Sequence, residues 1–395
     1  MKQPIYLDYA ATTPLDYEVV EMILNSLKTE FGNPSSIYTL GQKALHSVDA
    51  ARETLANFLG CKITEVIFTG SATEANNLAI FGVIRKKIFQ RKNQKPHIIT
   101  SQVEHSSVLE PCRILEKEGL EVTYLPVNKE GLVNISDLEK AVKENTILIS
   151  IMYANNEIGS IQPITEIGKL IKTINNQQST INNQHIYFHS DAVQAVNYLN
   201  CNVDFLGVDF LTLSSHKIYG PKGIGALFVK KGTGVEPLIF GGGHEFGFRS
   251  GTENVPCIAG FGKAIEKIKE SKPEGEKIRK LRDKLIERVL KTIPESKFNG
   301  SLEKRLPNNA NFSFKGIEGE SLVIALDQEG IAASTGSACS QKILEPSHVL
   351  LALGLSPKEA LSSLRLTLGK YTTEKEIDKV LEVLPKIIAR LRKIS

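Results

Sequence analysis

The chain is 395 residues long and 41% hydrophobic, ample for a sizeable core and long enough for two domains or one large domain with an appendage. Lysine and arginine number 48 against 44 aspartates and glutamates, a net charge of +4 with both signs interspersed, which is not the footprint of direct nucleic-acid binding. No run of about 18 apolar residues is present to span a membrane, and the opening "MKQPIYLDYA" meets a charge and two tyrosines too soon for a secretory signal, so a cytoplasmic location is expected.

From the N-terminus onward, short β-branched runs alternate with longer helical patterns. "EVIFTG" (65–70) reads as a strand and "ATEANNLAIFGVIRKK" (72–87) as the helix after it. "HIITS" (97–101) is a strand, followed by a helix through "VLEPCRILEKEG". "TILISIMYA" (146–154) is a buried strand, "IGKLIKTI" is helical, and "IYFHSDA" (186–192) is the next strand. The polar, low-complexity "NNQQSTINNQ" (175–184) is expected on a surface loop between the last two. "LTLSSHKIYGPKGIGALFV" (211–229) is strand, glycine–proline turn and strand. This alternation predicts an α/β fold with a mostly parallel sheet covered by helices.

The character changes after about residue 262. "AIEKIKESKPEGEKIRKLRDKLIERVLKTI" is a long charged amphipathic stretch, read as a link between domains. Strand "NNANFSF", helix "GESLVIALDQEG" and a C-terminal helix ending "VLPKIIARLRKIS" complete a smaller α+β domain. The expected division is a large domain over 15–262 and a small one from 1–14 and 263–395.

Three stretches carry chemistry. Lys217 follows an apolar strand and two serines, a costly place for a charge unless it is compensated. It is either a turn lysine pointing to water or a Schiff-base lysine activated by partial desolvation; Ser214 and His216 beside it are able to donate to an anion. Asp191 ends the strand "IYFHSDA", on the sheet edge where ligands sit in open α/β folds. It is either a helix N-cap or the partner of a protonated pyridine nitrogen. "TGSATEAN" (69–76) turns from strand into helix, where free N–H groups bind phosphate, although Ser71 and Glu74 also fit a plain capping box.

The five cysteines, Cys61, Cys112, Cys201, Cys257 and Cys339, are odd in number, far apart and without a C-x-x-C pair, so neither a disulfide framework nor a metal site is expected. Four lie in or beside apolar patterns and read as inert. Cys339 stands apart, among the small polar residues of "STGSACSQ" (334–341), in the composition of an accessible loop.

Taken in order, "YLDYAATTP", "FGNPSS", "TGSATEANNLAI", "EHSSVL", "NNEIG", "HSDAVQ", "SSHKIYGPKGIGAL", "GGGHEFGFRSGT", "STGSACS" and "LEPSHVLLALGL" resemble pyridoxal-phosphate-dependent cysteine desulfurases. The likeness is to the iron–sulfur-assembly and nitrogen-fixation class, within the class-V aminotransferases of PLP fold type I, and it covers nearly the whole chain. It implies that Lys217 carries pyridoxal 5'-phosphate and moves the substrate proton, that Asp191 pairs with the ring nitrogen, and that Gln194 and Asn156 contact the phenolic oxygen. His105 would lie over the ring and act in proton transfer; without the likeness it reads as a helix cap. Ala72, Thr73, Ser214 and His216 would hold the phosphate, with Thr252 reaching the partner subunit's phosphate in a homodimer. Arg365 would grip the substrate carboxylate in a bidentate pair, assisted by Asn33, and otherwise reads as a surface ion pair.

By the same resemblance, Cys339 takes sulfur from L-cysteine as a persulfide and L-alanine leaves. The sulfur would pass to an acceptor protein, an iron–sulfur scaffold or a tRNA-thiolation relay. "STGSACSQKILEP" matches the longer-loop branch of the family, while the ending "RLRKIS" lacks the tail through which relatives dock on a scaffold. The competing functions are a selenocysteine lyase or a small-amino-acid aminotransferase of the same fold, or a non-catalytic sulfur-carrier or scaffold subunit. Cys339 separates them, since transamination needs no mobile thiol and a retired enzyme needs no full catalytic set.

Overall fold

A computed structural model describes residues 4–90, 95–178, 185–270, 272–336 and 345–393. Its strands are β1 (Ile5–Tyr6), β2 (Val66–Thr69), β3 (His97–Ser101), β4 (Glu121–Leu125), β5 (Thr146–Ser150), β6 (Tyr187–Asp191), β7 (Phe210–Ser214), β8 (Gly225–Val229), β9 (Ser296–Phe298), β10 (Asn309–Phe314), β11 (Ile331–Ala332) and β12 (Ser363–Thr367). Seven of them form one sheet in the order β2-β8-β7-β6-β5-β3-β4. All neighbours are parallel except β8, which runs antiparallel to both β2 and β7. β3, β5, β6, β7 and β8 are buried along their whole length, which is why they read as continuous apolar runs rather than alternating ones.

Helices cover both faces. Val19, Val48, Leu55 and Phe261 pack with Ile149, Phe188 and Leu211 on one face; Leu78, Ile84, Val108 and Cys112 pack with Ile98, Leu148 and Phe210 on the other. A separate apolar cluster joins Leu7, Leu285, Phe312, Phe314, Leu366 and Val380 around the antiparallel sheet β12-β10-β9. Helix Val255–Glu270 feeds the first cluster through Ile265, and helix Lys272–Thr292 feeds the third from Ile278 onward. The charged stretch over 264–293 is therefore two helices, with Pro273 near the start of the second, where a missing N–H costs nothing.

Other boundaries differ from expectation. The strand expected over 146–154 ends at Ser150, and Ile151–Ala154 continues as buried irregular chain into the site. Helix Ile164–Gln178 runs through the first part of the polar insert, where Asn175 bonds both N–H and C=O of Ile186; residues 179–184 lie outside the described residues. Helices Tyr17–Thr29 and Thr39–Leu59 and strand β4 were not anticipated.

Candidate active site

At the carboxyl edge of β5, β6 and β7 lies a cavity of about 420 Å³, lined in part by Ala10 and Ala11. Its lining brings together Ala72, Thr73, His105, Asn156, Asp191, Gln194, Ser214, His216, Lys217 and Arg365, residues from six separate stretches of the sequence. The described lining does not include Asn33 or Thr252. Asn33 is exposed and closes a local turn by accepting from the Ser35 N–H at 2.9 Å. Thr252 is exposed on a loop whose Glu245 and Phe246 both take left-handed backbone, φ 50° and 56°. That strain is held by a buried pair in which Arg52 donates to both Glu245 carboxylate oxygens at 2.6 and 2.8 Å.

Asp191 is buried where β6 ends. Its Oδ1 accepts from the Val193 N–H at 3.0 Å, the capping contact expected of a strand-end aspartate. Its Oδ2 accepts from Asn76 Nδ2 at 2.8 Å. Beside it begins helix Ala72–Gln90, where Ser71 Oγ accepts from the Glu74 N–H at 3.1 Å and Glu74 reaches back to the Gly70 N–H at 2.8 Å. The cap leaves Ala72 and Thr73 at the cavity, at the positive end of the helix dipole. Gly225 of β8 abuts this turn so closely that a Cβ would stand 2.8 Å from the Ala72 nitrogen.

Lys217 ends a tight turn after β7. Its Nζ donates to the carbonyls of Ala10 and Ala11 at 2.7 and 2.6 Å. The same N-terminal stretch is fastened to the turn: Thr13 Oγ1 donates to the His216 carbonyl at 3.0 Å and accepts from the Tyr219 N–H at 2.7 Å, and Thr12 Oγ1 lies 3.1 Å from His216 Nδ1. "YLDYAATTP" therefore seats the lysine, a role that its residue types did not announce. Burial lowers His216 to about 4, with the charges of Lys217 and Lys222 adding to it. Burial also lowers His105, again reinforced by Lys217 and opposed by Asp191. His105 is the N-cap of helix Ser106–Lys117, its Nδ1 accepting from the Ser107 N–H at 3.1 Å, so the capping reading holds while the ring also faces the cavity.

Arg365 is buried on β12, not at the surface. Nη2 donates to Asp8 Oδ1 at 2.8 Å and Nη1 to the Asn156 carbonyl at 3.0 Å, while its Nε has no partner among the described residues. Cys339 lies outside the described residues. On its N-terminal side Gly336 lines the cavity, and on its C-terminal side Ser347 Oγ donates to the buried Glu157 carboxylate at 2.6 Å. The four described cysteines are free, and burial raises the thiols of Cys61, Cys112 and Cys201 to about 12 and lifts that of Cys257 as well. No cluster of metal-ligating side chains occurs among the described residues.

This donor set fits a phosphorylated aromatic aldehyde with a basic ring nitrogen. The buried Asp191 carboxylate suits a protonated ring nitrogen, the Lys217 amine suits the aldehyde, and the helix start at Ala72 with Ser214 and His216 nearby suits the phosphate.

Residues 5–380 match the family model described as aminotransferase class-V. The chain is 52% identical over 396 residues to the cysteine desulfurase IscS of Dictyoglomus turgidum, covering 100% of this chain and 97% of that one. Among solved structures it resembles a NifS-like protein with a TM-score of 0.89 at 36% identity, covering 98% of this chain and 100% of the other. It also resembles SspA in complex with cysteine, TM-score 0.79 at 37% identity, covering 93% and 100%.

Proposed function

We infer that this chain, which belongs to the aminotransferase class-V family, is a cysteine desulfurase that converts L-cysteine to L-alanine and keeps the sulfur as a persulfide on Cys339. The observation that carries the assignment is the meeting of Lys217, Asp191 and His105 around one cavity that Gly336 also lines. Cys339 follows Gly336 by three residues, a length of chain that spans at most about 11 Å.

The cofactor is pyridoxal 5'-phosphate. Bound, it supplies an electron-withdrawing ring that weakens bonds at the substrate α-carbon. Lys217 would hold it through its amine and move the substrate α-proton. Asp191, whose two oxygens are oriented by Val193 and Asn76, would keep the ring nitrogen protonated. Ala72, Thr73, Ser214 and His216 hold the phosphate, with Thr252 from the partner subunit of a homodimer. Gln194 and Asn156 address the phenolic oxygen. Arg365 binds the substrate carboxylate with Asn33, using N–H groups beyond those on Asp8 and Asn156.

In the transfer step the Cys339 thiolate attacks the substrate sulfur. The new S–S bond forms as the substrate C–S bond breaks, its electron pair passes to carbon, and a proton from His105 or Lys217 completes alanine. The balance is one thiol and one cysteine giving one persulfide and one alanine. The persulfide sulfur then passes to an acceptor protein, an iron–sulfur scaffold or a tRNA-thiolation relay.

No described helix is long and apolar enough to cross a membrane; we place the enzyme in the cytoplasm. The division into a large unit over 15–262 and a small unit from 1–14 and 263–395 is supported by separate apolar clusters on the two sheets.

The test is persulfide-trapping alkylation with peptide mapping after L-cysteine is added. The label is expected on the Cys339 peptide, and Cys339→Ser is expected to stay folded and yellow while releasing no sulfide. A label on any other cysteine, or sulfide release by Cys339→Ser at the wild-type rate, overturns the assignment.

A further inference from the structure

Four side chains from three elements form a single line of hydrogen bonds beside the cavity. Asn76, on helix Ala72–Gln90, is fully buried. Its Nδ2 donates to Asp191 Oδ2 at 2.8 Å and to Ser107 Oγ at 2.8 Å. Ser107 Oγ lies 2.8 Å from His105 Nδ1, and the Ser107 N–H donates to that same nitrogen at 3.1 Å.

The proton directions follow by elimination. An amide nitrogen has two protons and accepts none, so both Asn76 protons are committed, one to Asp191 and one to Ser107. The flipped amide would set its oxygen against a carboxylate oxygen. Ser107 Oγ accepts from Asn76, and because the Ser107 N–H already donates to His105 Nδ1, that nitrogen is an acceptor and takes the hydroxyl proton too. With Nδ1 accepting, the neutral ring carries its proton on Nε2. Asn76 Oδ1 meanwhile is buried with no partner among the described residues. Leaving an acceptor unpaired is unfavourable, so this residue is placed for what it donates.

We propose that Asn76 and Ser107 are positioning residues for the desulfurase reaction, one amide fixing the Asp191 carboxylate and, through the Ser107 hydroxyl, holding His105 as the neutral, Nε2-protonated imidazole. The proposal rests on the roles given to Asp191 and His105 above. Protonating Nδ1 would drive a new N–H against the Ser107 N–H and make the ring compete with Asn76 for the lone pairs of Ser107 Oγ. Without Asn76 both lone pairs are open to the ring, and it protonates more easily. The charged and titratable groups that face His105 are Asp191, Lys217, Glu157 and His348, and the test leaves all four in place.

The experiment follows the His105 ring by NMR through a pH titration of the full-length holoenzyme, its signal assigned with His105→Gln. In Asn76→Leu and Ser107→Ala the titration midpoint is expected to rise by about 0.5–1 pH unit, the proton-affinity equivalent of one ordinary hydrogen bond. Ser107→Thr, which keeps the hydroxyl, is expected to hold the wild-type midpoint. Turnover of L-cysteine should fall about tenfold in the first two, with KM within about twofold, and recover in the threonine variant. If Asn76→Leu fails to fold, the Ser107 pair decides the matter alone. A midpoint unchanged in Ser107→Ala, or raised as much in Ser107→Thr, overturns the proposal. A wild-type enzyme that forms no persulfide from L-cysteine overturns the desulfurase reading instead, and the titration still decides what Asn76 and Ser107 do.

Discussion

Inside the seven-stranded sheet, His189 is bonded at both ring nitrogens, 2.8 Å from Ser150 Oγ and 3.1 Å from Thr212 Oγ1, and so ties β6 to its two neighbours. His97 does the same for β3, meeting Thr146 Oγ1 at 2.8 Å and Thr123 Oγ1 at 2.9 Å. At the carboxyl edge of the sheet, His105 and His216 are also depressed by burial and also bonded to hydroxyls, but each ring borders the cavity. Burial favours the neutral form of all four imidazoles; what separates them is whether the ring is enclosed by strands or borders the cavity. Strand interiors and strand ends thus use one chemistry for cohesion and for reaction, and substitutions should divide accordingly.

The sharpest division comes from Lys217→Ala at the edge. Turnover should fall at least about a thousandfold, as for loss of a covalent catalytic group, and borohydride should fix no cofactor to the chain. The thermal midpoint of the cofactor-free protein should stay within about 3 °C of wild type, since losing the hydrogen bonds to the Ala10 and Ala11 carbonyls is offset by relief of a partly desolvated charge. A retained covalent cofactor would remove Lys217 from the site.

The interior histidines should show themselves in acid. Burial holds His97 near 4 and His189 near 3, below the 6.5 of an exposed ring. Folded pKa values below the unfolded one favour the neutral ring in the fold. Their stabilisation is therefore complete above about pH 6.5 and is lost as the pH falls toward 4 and then 3. Around pH 5 unfolding takes up about two protons from this pair, a slope of up to about 2.7 kcal/mol per pH unit. Denaturant titrations from pH 7 to pH 4.5 measure it, and stability independent of pH over that range would break the comparison.

His189→Ala should cost about 2–4 kcal/mol by stranding the Ser150 and Thr212 hydroxyls and leaving a void. It should also lower the acid slope by up to about 1.4 kcal/mol per pH unit, with turnover per folded molecule within about threefold of wild type. A variant of wild-type stability but lost activity would mean that His189 belongs with the edge residues. The smallest effect is expected from Cys257→Ser, half-buried and outside the cavity lining: within about 0.5 kcal/mol of wild type, with the persulfide label still on Cys339.

Asp191, Lys217 and the helix start at Ala72 were legible in the sequence because each rests on a local signal: a strand end, a glycine–proline turn, a hydroxyl-rich cap. Their assembly with His105 and Cys339 came from the ordered resemblance of whole blocks. Asn76 and Ser107 gave no such signal. Asn76 reads as one more polar residue in a helix, and its partners stand 31 and 115 positions away. Asp8 likewise meets Arg365 across 357 positions, in a buried pair where the sequence alone offered a surface one.

The sequence by itself determined the α/β alternation, the residue types needed for the chemistry and the singular setting of Cys339, because periodicity, turn residues and composition act over a few neighbouring positions. Only the tertiary structure decided which carbonyls seat Lys217, which amide orients Asp191, which way the His105 proton faces and where the strand after Thr146 stops. Those outcomes depend on directional hydrogen bonds lasting only a few ångströms between groups far apart in the chain, and the order of residues does not encode such distances until the sheet brings its strand ends together.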